Sequence, residues 1–344
     1  MSTHRAALLK AKDTRFTIEP VPTPAPGPGE LLIQVKALAI NPVDAAQRDK
    51  GFPPIPSYPT VIGSSVAGIV VSAGPDVPET APQPGTRVTV MASSFYTGKL
   101  EYGAFQEFVL TSWNGAAPVP HAMSFEEAAV FPLAVLSALS GFTTIGIPLD
   151  TWFTLEDKRA VLLWGGASSV GTMAIQFARH MGLVVYTTAS AKNHEYLKSL
   201  GAHRTFDYHD ADVVSQIVTA VKEDGVMLTD AQIYAWNSLQ PVLDVLKDTK
   251  GDKLGKVGHA PPLLPGAPSI EGVEVKFILP PMEPAAHEQH KNEVFHGWLK
   301  PGLENGSVVP SPKVQLVEGG LEGLNAALDI IRRGVSATKL VVKV

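Results

Sequence analysis

A short run of small residues near the middle of the chain has the spacing of a phosphate-binding turn. The uninterrupted apolar stretch Ala160–Trp164 predicts a buried strand, and glycine and serine follow it. The residues that align with the dinucleotide fingerprint G-x-G-x-x-G are Gly166, Ala167, Ser168, Ser169, Val170 and Gly171, with serine in place of the middle glycine. A helix that begins here points unpaired N–H groups at an anion. The sequence therefore predicts a pyrophosphate site, and a glycine-rich turn without a ligand is the alternative.

The end of the next predicted strand, Leu183–Thr187, bears on which dinucleotide is bound. An NAD site places a carboxylate about 20 residues beyond the fingerprint, where it binds the ribose 2′-hydroxyl. This chain has Ser190 and Lys192 there, and no Asp or Glu from Thr187 to Asn193. A hydroxyl and a cation suit a 2′-phosphate, and the missing carboxylate removes repulsion. We therefore expect NADPH rather than NADH, with an ordinary solvated lysine as the alternative role for Lys192.

Other motifs that could do chemistry fail on spacing. The run His287–His290 resembles part of a zinc-protease motif, but that motif needs its second histidine where Lys291 stands. We interpret this run as a solvated face and predict no metal site there. Ser168 is not followed by the glycine of a nucleophile elbow, and Gly251–Lys256 is one residue short of a phosphate-binding P-loop.

Composition excludes several classes of protein. The 344 residues are 45% apolar, so the chain is globular and long enough for about two domains of ~150 residues. Lysine and arginine number 28 against 33 acidic residues, a net charge of −5, which argues against a nucleic-acid partner. There is no cysteine, which excludes disulfides, a cysteine nucleophile and cysteine-based metal centres. The N-terminal apolar run is too short for a secretion signal and no stretch approaches ~20 apolar residues, so we expect a soluble cytoplasmic protein without a membrane partner.

The secondary structure predicted around the turn changes near Phe125, from strands alone to alternating strands and helices. Before it, short predicted strands alternate with proline and glycine turns, at Leu31–Leu38, Ser65–Val71 and Arg87–Met91. After it, the two buried strands alternate with helices, which is typical of a doubly wound parallel sheet. The last residues, Lys339–Val344, predict a strand that rejoins the β-rich part.

Several dispersed motifs now resemble one family. They are Ile40–Asp44, Gly63–Val70, Pro84–Val88, Tyr102–Phe108 and Gly171–Gln176. In this order they resemble the medium-chain dehydrogenase/reductase superfamily over nearly the whole chain. The likeness is closest to the quinone oxidoreductase-like branch and to fungal trans-acting enoyl reductases and their zinc-less relatives.

The resemblance implies an α/β fold made of a GroES-like β-domain and a Rossmann doubly wound parallel-sheet domain. We expect a GroES-like substrate domain at residues 1–125 and a Rossmann NADP(H)-binding domain at 126–285. Residues 286–344 would return to the first domain. In the family, the cleft between the domains holds the nicotinamide and the substrate.

The resemblance also bears on individual site residues. Zinc-dependent members have a cysteine where Asn41 stands, a His-Glu pair where Ser64 and Ser65 stand, and a four-cysteine lobe. We therefore predict neither catalytic nor structural zinc. The family places position 41 beside the nicotinamide, which makes Asn41 the candidate catalytic residue; an Asn-Pro turn is the alternative. Relatives that use NADPH often contact the 2′-phosphate with a tyrosine placed as Tyr208 is, and an ordinary strand aromatic is the alternative.

These residues predict a zinc-independent, NADPH-dependent oxidoreductase. Without a metal, hydride transfer suits a small molecule that is already electrophilic: an activated C=C bond, as in an enone or enoyl compound, or a quinone. Tyr58, Tyr96, Lys99 and water are candidates for the proton donor. One alternative is an enoyl reductase acting in trans for a polyketide-type synthase, and another is a non-catalytic NADPH-binding paralogue.

The oligomeric state depends on the last predicted Rossmann strand, through which relatives often dimerise. Here that strand runs straight into Pro280-Pro281, and proline cannot donate a hydrogen bond to a β-ladder. We therefore favour a monomer over a dimer.

Overall fold

The computed structural model describes residues 2–92 and 94–344, apart from the side chain of Leu155. The strands are β1 (Thr3–Leu8), β2 (Thr17–Pro22), β3 (Glu30–Ala39), β4 (Ser65–Ala73), β5 (Arg87–Met91), β6 (Phe108–Ser112), β7 (Ala116–Pro118), β8 (Arg159–Trp164), β9 (Val184–Thr188), β10 (Arg204–Phe206), β11 (Met227–Ile233), β12 (Gly255–His259), β13 (Val273–Phe277), β14 (Lys313–Val317) and β15 (Thr338–Lys343). The α-helices are α1 (Pro42–Lys50), α2 (Ser94–Thr97), α3 (Phe125–Ala128), α4 (Pro132–Thr144), α5 (Ser169–His180), α6 (His194–Leu200), α7 (Val213–Asp224), α8 (Leu239–Thr249), α9 (Pro284–Asn292), α10 (Lys300–Asn305) and α11 (Leu324–Arg332). A π-helical segment, Glu293–Leu299, follows α9, and short 3₁₀ turns lie at Leu100–Tyr102, Trp113–Gly115, Leu155–Asp157, Ala191–Asn193 and Gly320–Gly323.

A β-rich compact unit runs to Leu133 and resumes from Pro284 to the end of the chain. Its main sheet has the order β14-β15-β3-β4-β5-β7, and β6 also pairs with β3. Ala39 of β3 lies opposite Ser65 of β4 on one side and Val341 of β15 on the other, in antiparallel register. The C-terminal strand β15 therefore lies in the main sheet of the β-rich unit.

The other compact unit, Ala134–Glu283, is built on a parallel sheet with the order β10-β9-β8-β11-β12-β13. This is the strand order of a dinucleotide-binding fold, in which the order reverses between the first and fourth strands of the unit. Leu162 and Trp164 pack into a core with residues of α7 and α8, while Val161 and Leu163 point to the opposite face and are also buried. Both faces of the sheet are covered, which confirms the predicted doubly wound architecture.

The boundary between the units follows from where the helices pack. The units change between Leu133 and Ala134 and again between Glu283 and Pro284, eight and two residues from the sequence-based boundaries. Helix α3 stays with the β-rich unit because its Phe125 ring lies under the Arg87 guanidinium and its Ala128 carbonyl accepts from Thr89 Oγ1 at 2.7 Å. These contacts tie the start of the helical region to the strands that precede it.

One stretch of the chain, Phe125–Thr144, is long and apolar enough to cross a membrane by length and composition. Local hydropathy predicted no such segment. Of its most apolar window, 72% is buried inside the protein, as in the core helix of a globular protein.

Strand β11 was not predicted from the sequence. Its residues Thr229, Asp230 and Gln232 are polar, yet all are buried. The Asp230 carboxylate is compensated by Arg159 of the neighbouring strand, with Oδ2 2.5 Å from Nη2. Arg159 lets a charged residue occupy a buried strand. Because this partner is distant in the sequence, the local hydropathy pattern around Asp230 does not predict a strand.

Candidate active site

The predicted phosphate-binding turn lies between β8 and α5, where the fingerprint requires it. Gly165 adopts φ +93°, so the tight turn falls one residue before the aligned motif. Gly171 lies against the turn: a Cβ there would be 2.5 Å from the Gly165 carbonyl oxygen and 2.7 Å from Gly166 Cα. Helix α5 can therefore begin close to the end of β8 only with glycine at position 171.

Ser168, the residue that replaces the middle glycine, is the N-cap of α5. Its Oγ accepts a hydrogen bond from the Gly171 N–H at 3.0 Å and donates one to the Gly165 carbonyl at 2.8 Å. The serine hydroxyl thus links the first turn of α5 to the Gly165 carbonyl through two hydrogen bonds. By helix geometry, the N–H groups of Ser169 and Val170 in the first turn of α5 have no carbonyl partner within the helix, and they are the groups suited to bind a phosphate.

Two of the three residues predicted for the 2′-phosphate, Ser190 and Tyr208, come together after β9 and β10. The hydroxyls of Ser190 and Tyr208 lie 3.3 Å apart, and Lys192 is exposed in the 3₁₀ turn that begins just after Ser190. The Tyr208 ring is 46% exposed and lies against the His209 imidazole, with ring centroids 4.1 Å apart. Two neighbouring hydroxyls, with an exposed lysine two residues along the chain from Ser190, are groups of the kind that hold a phosphate.

Asp207, which was not predicted from the sequence, joins the two segments that carry the candidate 2′-phosphate residues. Its carboxylate accepts hydrogen bonds from the backbone N–H groups of His209 and Ala191, at 3.0 and 2.9 Å, and contacts His209 Nδ1 at 2.7 Å. The two backbone N–H groups, followed by the His209 side chain, lower the pKa of Asp207 to about 2. The carboxylate therefore ties the Ser190–Asn193 turn to the Tyr208 loop. In the sequence, Asp207 could have been identified by its position directly before Tyr208, a predicted site residue.

Asn41 belongs to the β-rich unit, where it caps α1 inside a buried polar cluster. Its Oδ1 accepts from Lys339 Nζ at 2.6 Å. Its Nδ2 has acceptors at Ala39 O, Ser65 Oγ and Asp44 Oδ2, at 3.2, 3.3 and 3.4 Å. The amide thus has three protein acceptors for two N–H bonds. This geometry supports a role in holding the cluster together, and the catalytic role of Asn41 stays a prediction.

Two ionisable groups of this cluster are strongly affected by burial. Desolvation raises the pKa of Asp44 to about 7, against the opposing effect of the Asn41 backbone N–H and of Lys339. Desolvation likewise lowers the pKa of Lys339 to about 8, although the Asp44 charge opposes this. The pair was missed because Lys339 comes from β15, almost 300 residues away along the chain.

The interpretation of His287–His290 as a solvated face was wrong. His287 and His290 are only 7% and 3% exposed, because α9 packs against the Trp113–Gly115 turn and the Tyr96 ring lies 4.3 Å from the His287 ring. Burial lowers the pKa of His290 to about 4. Over residues 2–92 and 94–344, no three His, Asp or Glu side chains are grouped so as to hold a metal ion.

Comparisons with known proteins agree with this architecture. A family model for the alcohol dehydrogenase GroES-like domain matches residues 27–121, and one for zinc-binding dehydrogenases matches residues 169–232. The chain is 49% identical over 340 residues to the trans-enoyl reductase tndF of Aspergillus flavipes, covering 98% of both proteins.

Solved structures share the fold. The enoyl reductase CurK superposes with a TM-score of 0.74 at 20% identity, covering 98% of this chain and 99% of CurK. Mycobacterial Rv1454c, solved in complex with NADPH, gives 0.72 at 22% identity and covers both chains fully. Such identities show the fold alone, whereas the 49% identity along almost the whole chain shows the family. The chain belongs to the medium-chain dehydrogenase/reductase superfamily, alongside fungal trans-enoyl reductases.

Proposed function

We propose that this protein is an NADPH-dependent enoyl reductase that acts in trans on a substrate carried by a polyketide-type synthase. The 49% identity to tndF, named a trans-enoyl reductase, along 98% of both chains carries the proposal. The substrate class is a C=C bond conjugated to a thioester carbonyl, which is electrophilic without a metal ion. A cytoplasmic location is part of the proposal.

The residues of the nucleotide unit fit a phosphorylated dinucleotide. The Ser169 and Val170 N–H groups at the start of α5 would bind the pyrophosphate. The close approach of Gly171 to Gly165 lets α5 begin directly after β8 and so brings these groups to the carboxyl end of that strand. Ser190, Lys192 and Tyr208 would bind the 2′-phosphate, with Asp207 holding their two loops together. NADPH supplies a hydride when bound. The preference for NADPH over NADH belongs to this proposal.

In the β-rich unit, the buried cluster around Asn41 keeps the start of α1 in place. Lys339 orients the Asn41 amide by donating to its oxygen, so the amide N–H groups point toward Ser65 and the Ala39 carbonyl. Reduction requires charge to develop on the substrate carbonyl oxygen, and such charge is stabilised by donors that are already oriented. An amide held in this way meets that requirement if the substrate displaces one of its weaker acceptors.

The activity is tested on the purified full-length chain. Loss of reduced-nicotinamide absorbance is followed with enoyl thioesters, enones, quinones and simple alcohols, each with NADPH and with NADH. We expect turnover of enoyl thioesters with NADPH and a markedly higher KM for NADH. Zinc-dependent turnover of simple alcohols would overturn the proposal. Tight NADPH binding without turnover of any acceptor would favour the non-catalytic paralogue.

Lys192→Ala tests the 2′-phosphate site. Removing one exposed charged partner should raise the KM for NADPH about three- to tenfold, equivalent to roughly 1 kcal/mol, and leave that for NADH unchanged. Lys198→Ala is the matched control, because Lys198 is an exposed lysine on α6 that pairs with Glu195 at 2.8 Å. An equal effect of Lys192→Ala on both cofactors would contradict the assignment.

A further inference from the structure

The register of the parallel sheet orders the residues along its carboxyl edge. Trp164, which ends β8 just before the phosphate-binding turn, lies opposite Thr188 of β9 on one side and Ile233 of β11 on the other. Ile233 in turn lies opposite His259, the last residue of β12. Since neighbouring strands are about 4.8 Å apart, the His259 backbone lies about 10 Å from that of Trp164.

This order places the two halves of a dinucleotide on opposite sides of the turn. Ser190 and Tyr208, the candidate 2′-phosphate residues, follow β9 and β10 and thus put the adenosine half on that side. A dinucleotide crosses the sheet where the strand order reverses, here between β8 and β11. The nicotinamide half of a bound dinucleotide would therefore lie on the side of β11 and β12, where His259 ends its strand.

The environment of His259 defines which of its nitrogens carries the proton. The Nδ1 atom lies 2.6 Å from the Pro261 carbonyl oxygen, which can only accept a hydrogen bond, so Nδ1 is the donor. The side chain is 6% exposed, and this burial lowers the pKa of the imidazole. In the neutral ring that this burial favours, a proton on Nδ1 leaves Nε2 with a lone pair that can accept a hydrogen bond.

We propose that His259 binds the nicotinamide half of the cofactor, its Nε2 accepting a hydrogen bond from the carboxamide N–H of the nicotinamide. The inference rests on the proposed function, because it takes the dinucleotide to be a nicotinamide cofactor. Pro261 holds the imidazole from the other side, so the acceptor has a defined direction. Holding the carboxamide fixes the orientation of the ring and hence the face from which the hydride leaves.

The experiment compares two ligands that differ only in the nicotinamide. Calorimetric titrations with NADPH and with 2′-phospho-ADP-ribose are run on the full-length wild type and on His259→Asn. The Asn amide can still donate to the Pro261 carbonyl but has no counterpart of Nε2. His203→Asn is the matched control, because His203 directly precedes the amino end of β10, at the opposite edge of the sheet.

We expect His259→Asn to weaken NADPH binding about three- to tenfold, the loss of one hydrogen bond, and to leave 2′-phospho-ADP-ribose binding unchanged. His203→Asn should alter neither. An equal change for both ligands, or no change for either, would overturn the role of His259. Failure of the wild type to bind either ligand would instead contradict the proposed function, and the inference with it.

A second measurement covers the case in which His259→Asn does not fold. In wild-type protein labelled with nitrogen-15 histidine, the His259 Nε2 resonance should shift on addition of NADPH and not on addition of 2′-phospho-ADP-ribose. Equal responses to the two ligands would overturn the inference.

Discussion

At the scale of single residues, the buried cluster of Asn41, Asp44 and Lys339 joins two ionisable groups to the candidate catalytic amide. Each of the three is at most 3% exposed, so the two ionisable groups have lost nearly all contact with water. Lys339 donates to the Asn41 amide oxygen and its charge opposes the effect of burial on Asp44, so removing Lys339 leaves buried polar groups with less compensation. The cluster should therefore control the stability of the β-rich unit as well as the position of the Asn41 amide.

Asp44 leads to a prediction about pH. Its folded-state pKa of about 7 lies above that of an unfolded aspartate, so folding favours the protonated carboxyl. The stability that Asp44 contributes is complete below about pH 4 and decreases as the pH rises to 7, by a few kcal/mol. Urea unfolding at pH 5 and at pH 7.5 should show that the wild type loses more stability over this interval than Asp44→Asn. Asp150→Asn, at an exposed aspartate, should follow the wild type; a parallel response of Asp44→Asn would refute the argument.

At the scale of secondary-structure elements, the junction of β8 and α5 decides whether a nucleotide can bind. Two features stabilise this junction. Ser168 caps the N-terminus of α5, and Gly171 packs directly against the backbone of Gly165 and Gly166. An N-cap contributes roughly 1 kcal/mol to its helix. The packing at Gly171 requires glycine more strictly than the cap requires serine, because any side chain at position 171 would collide with backbone atoms.

Gly171→Ala tests this junction. The added Cβ would meet the Gly165 carbonyl at 2.5 Å, so α5 must shift away from β8. We expect destabilisation by about 1–3 kcal/mol and at least tenfold weaker NADPH binding, measured by thermal unfolding and calorimetry. Gly297→Ala is the matched control, because a Cβ there has no atom within 4 Å, and it should bind NADPH as the wild type does. Wild-type affinity in Gly171→Ala would show that the turn does not hold the cofactor.

At the scale of the whole molecule, the β13 edge of the parallel sheet is where a second copy of the chain could add its own strand. The outermost strand, β13, carries Glu274 and Lys276, whose side chains pair at 3.2 Å and are about half exposed. Charged side chains on an edge strand disfavour pairing with a second chain, and Pro280-Pro281 limit how far a ladder could continue.

We therefore expect a monomer of 36.5 kDa in light scattering at micromolar concentration. Replacing both charges, in Glu274→Val with Lys276→Val, should shift the protein toward larger species, because the edge then lacks the solvated charged groups whose desolvation opposes pairing. A wild-type mass twice that of the chain would contradict the prediction.

Much of the architecture follows from local sequence patterns. The stretch from Ala160 to Trp164 and the small residues after it specify a buried strand, a tight turn and a helix start, all of which depend on neighbours within a few residues. Strand β5 occurs with the predicted bounds, Arg87–Met91, because its alternation and its Pro84-Gly85 turn are local signals. The absence of cysteine likewise excludes whole classes of chemistry from the sequence alone.

Tertiary structure decided the features that depend on partners far apart in the chain. Lys339 reaches Asn41 only because β15 pairs with β3, and Asp207 joins the Ser190 turn only because β10 lies beside β9. His287 and His290 are polar by composition, yet the packing of α9 buries them. Burial and hydrogen-bond partners depend on the register between strands and on helix packing, and no local pattern of residues encodes either.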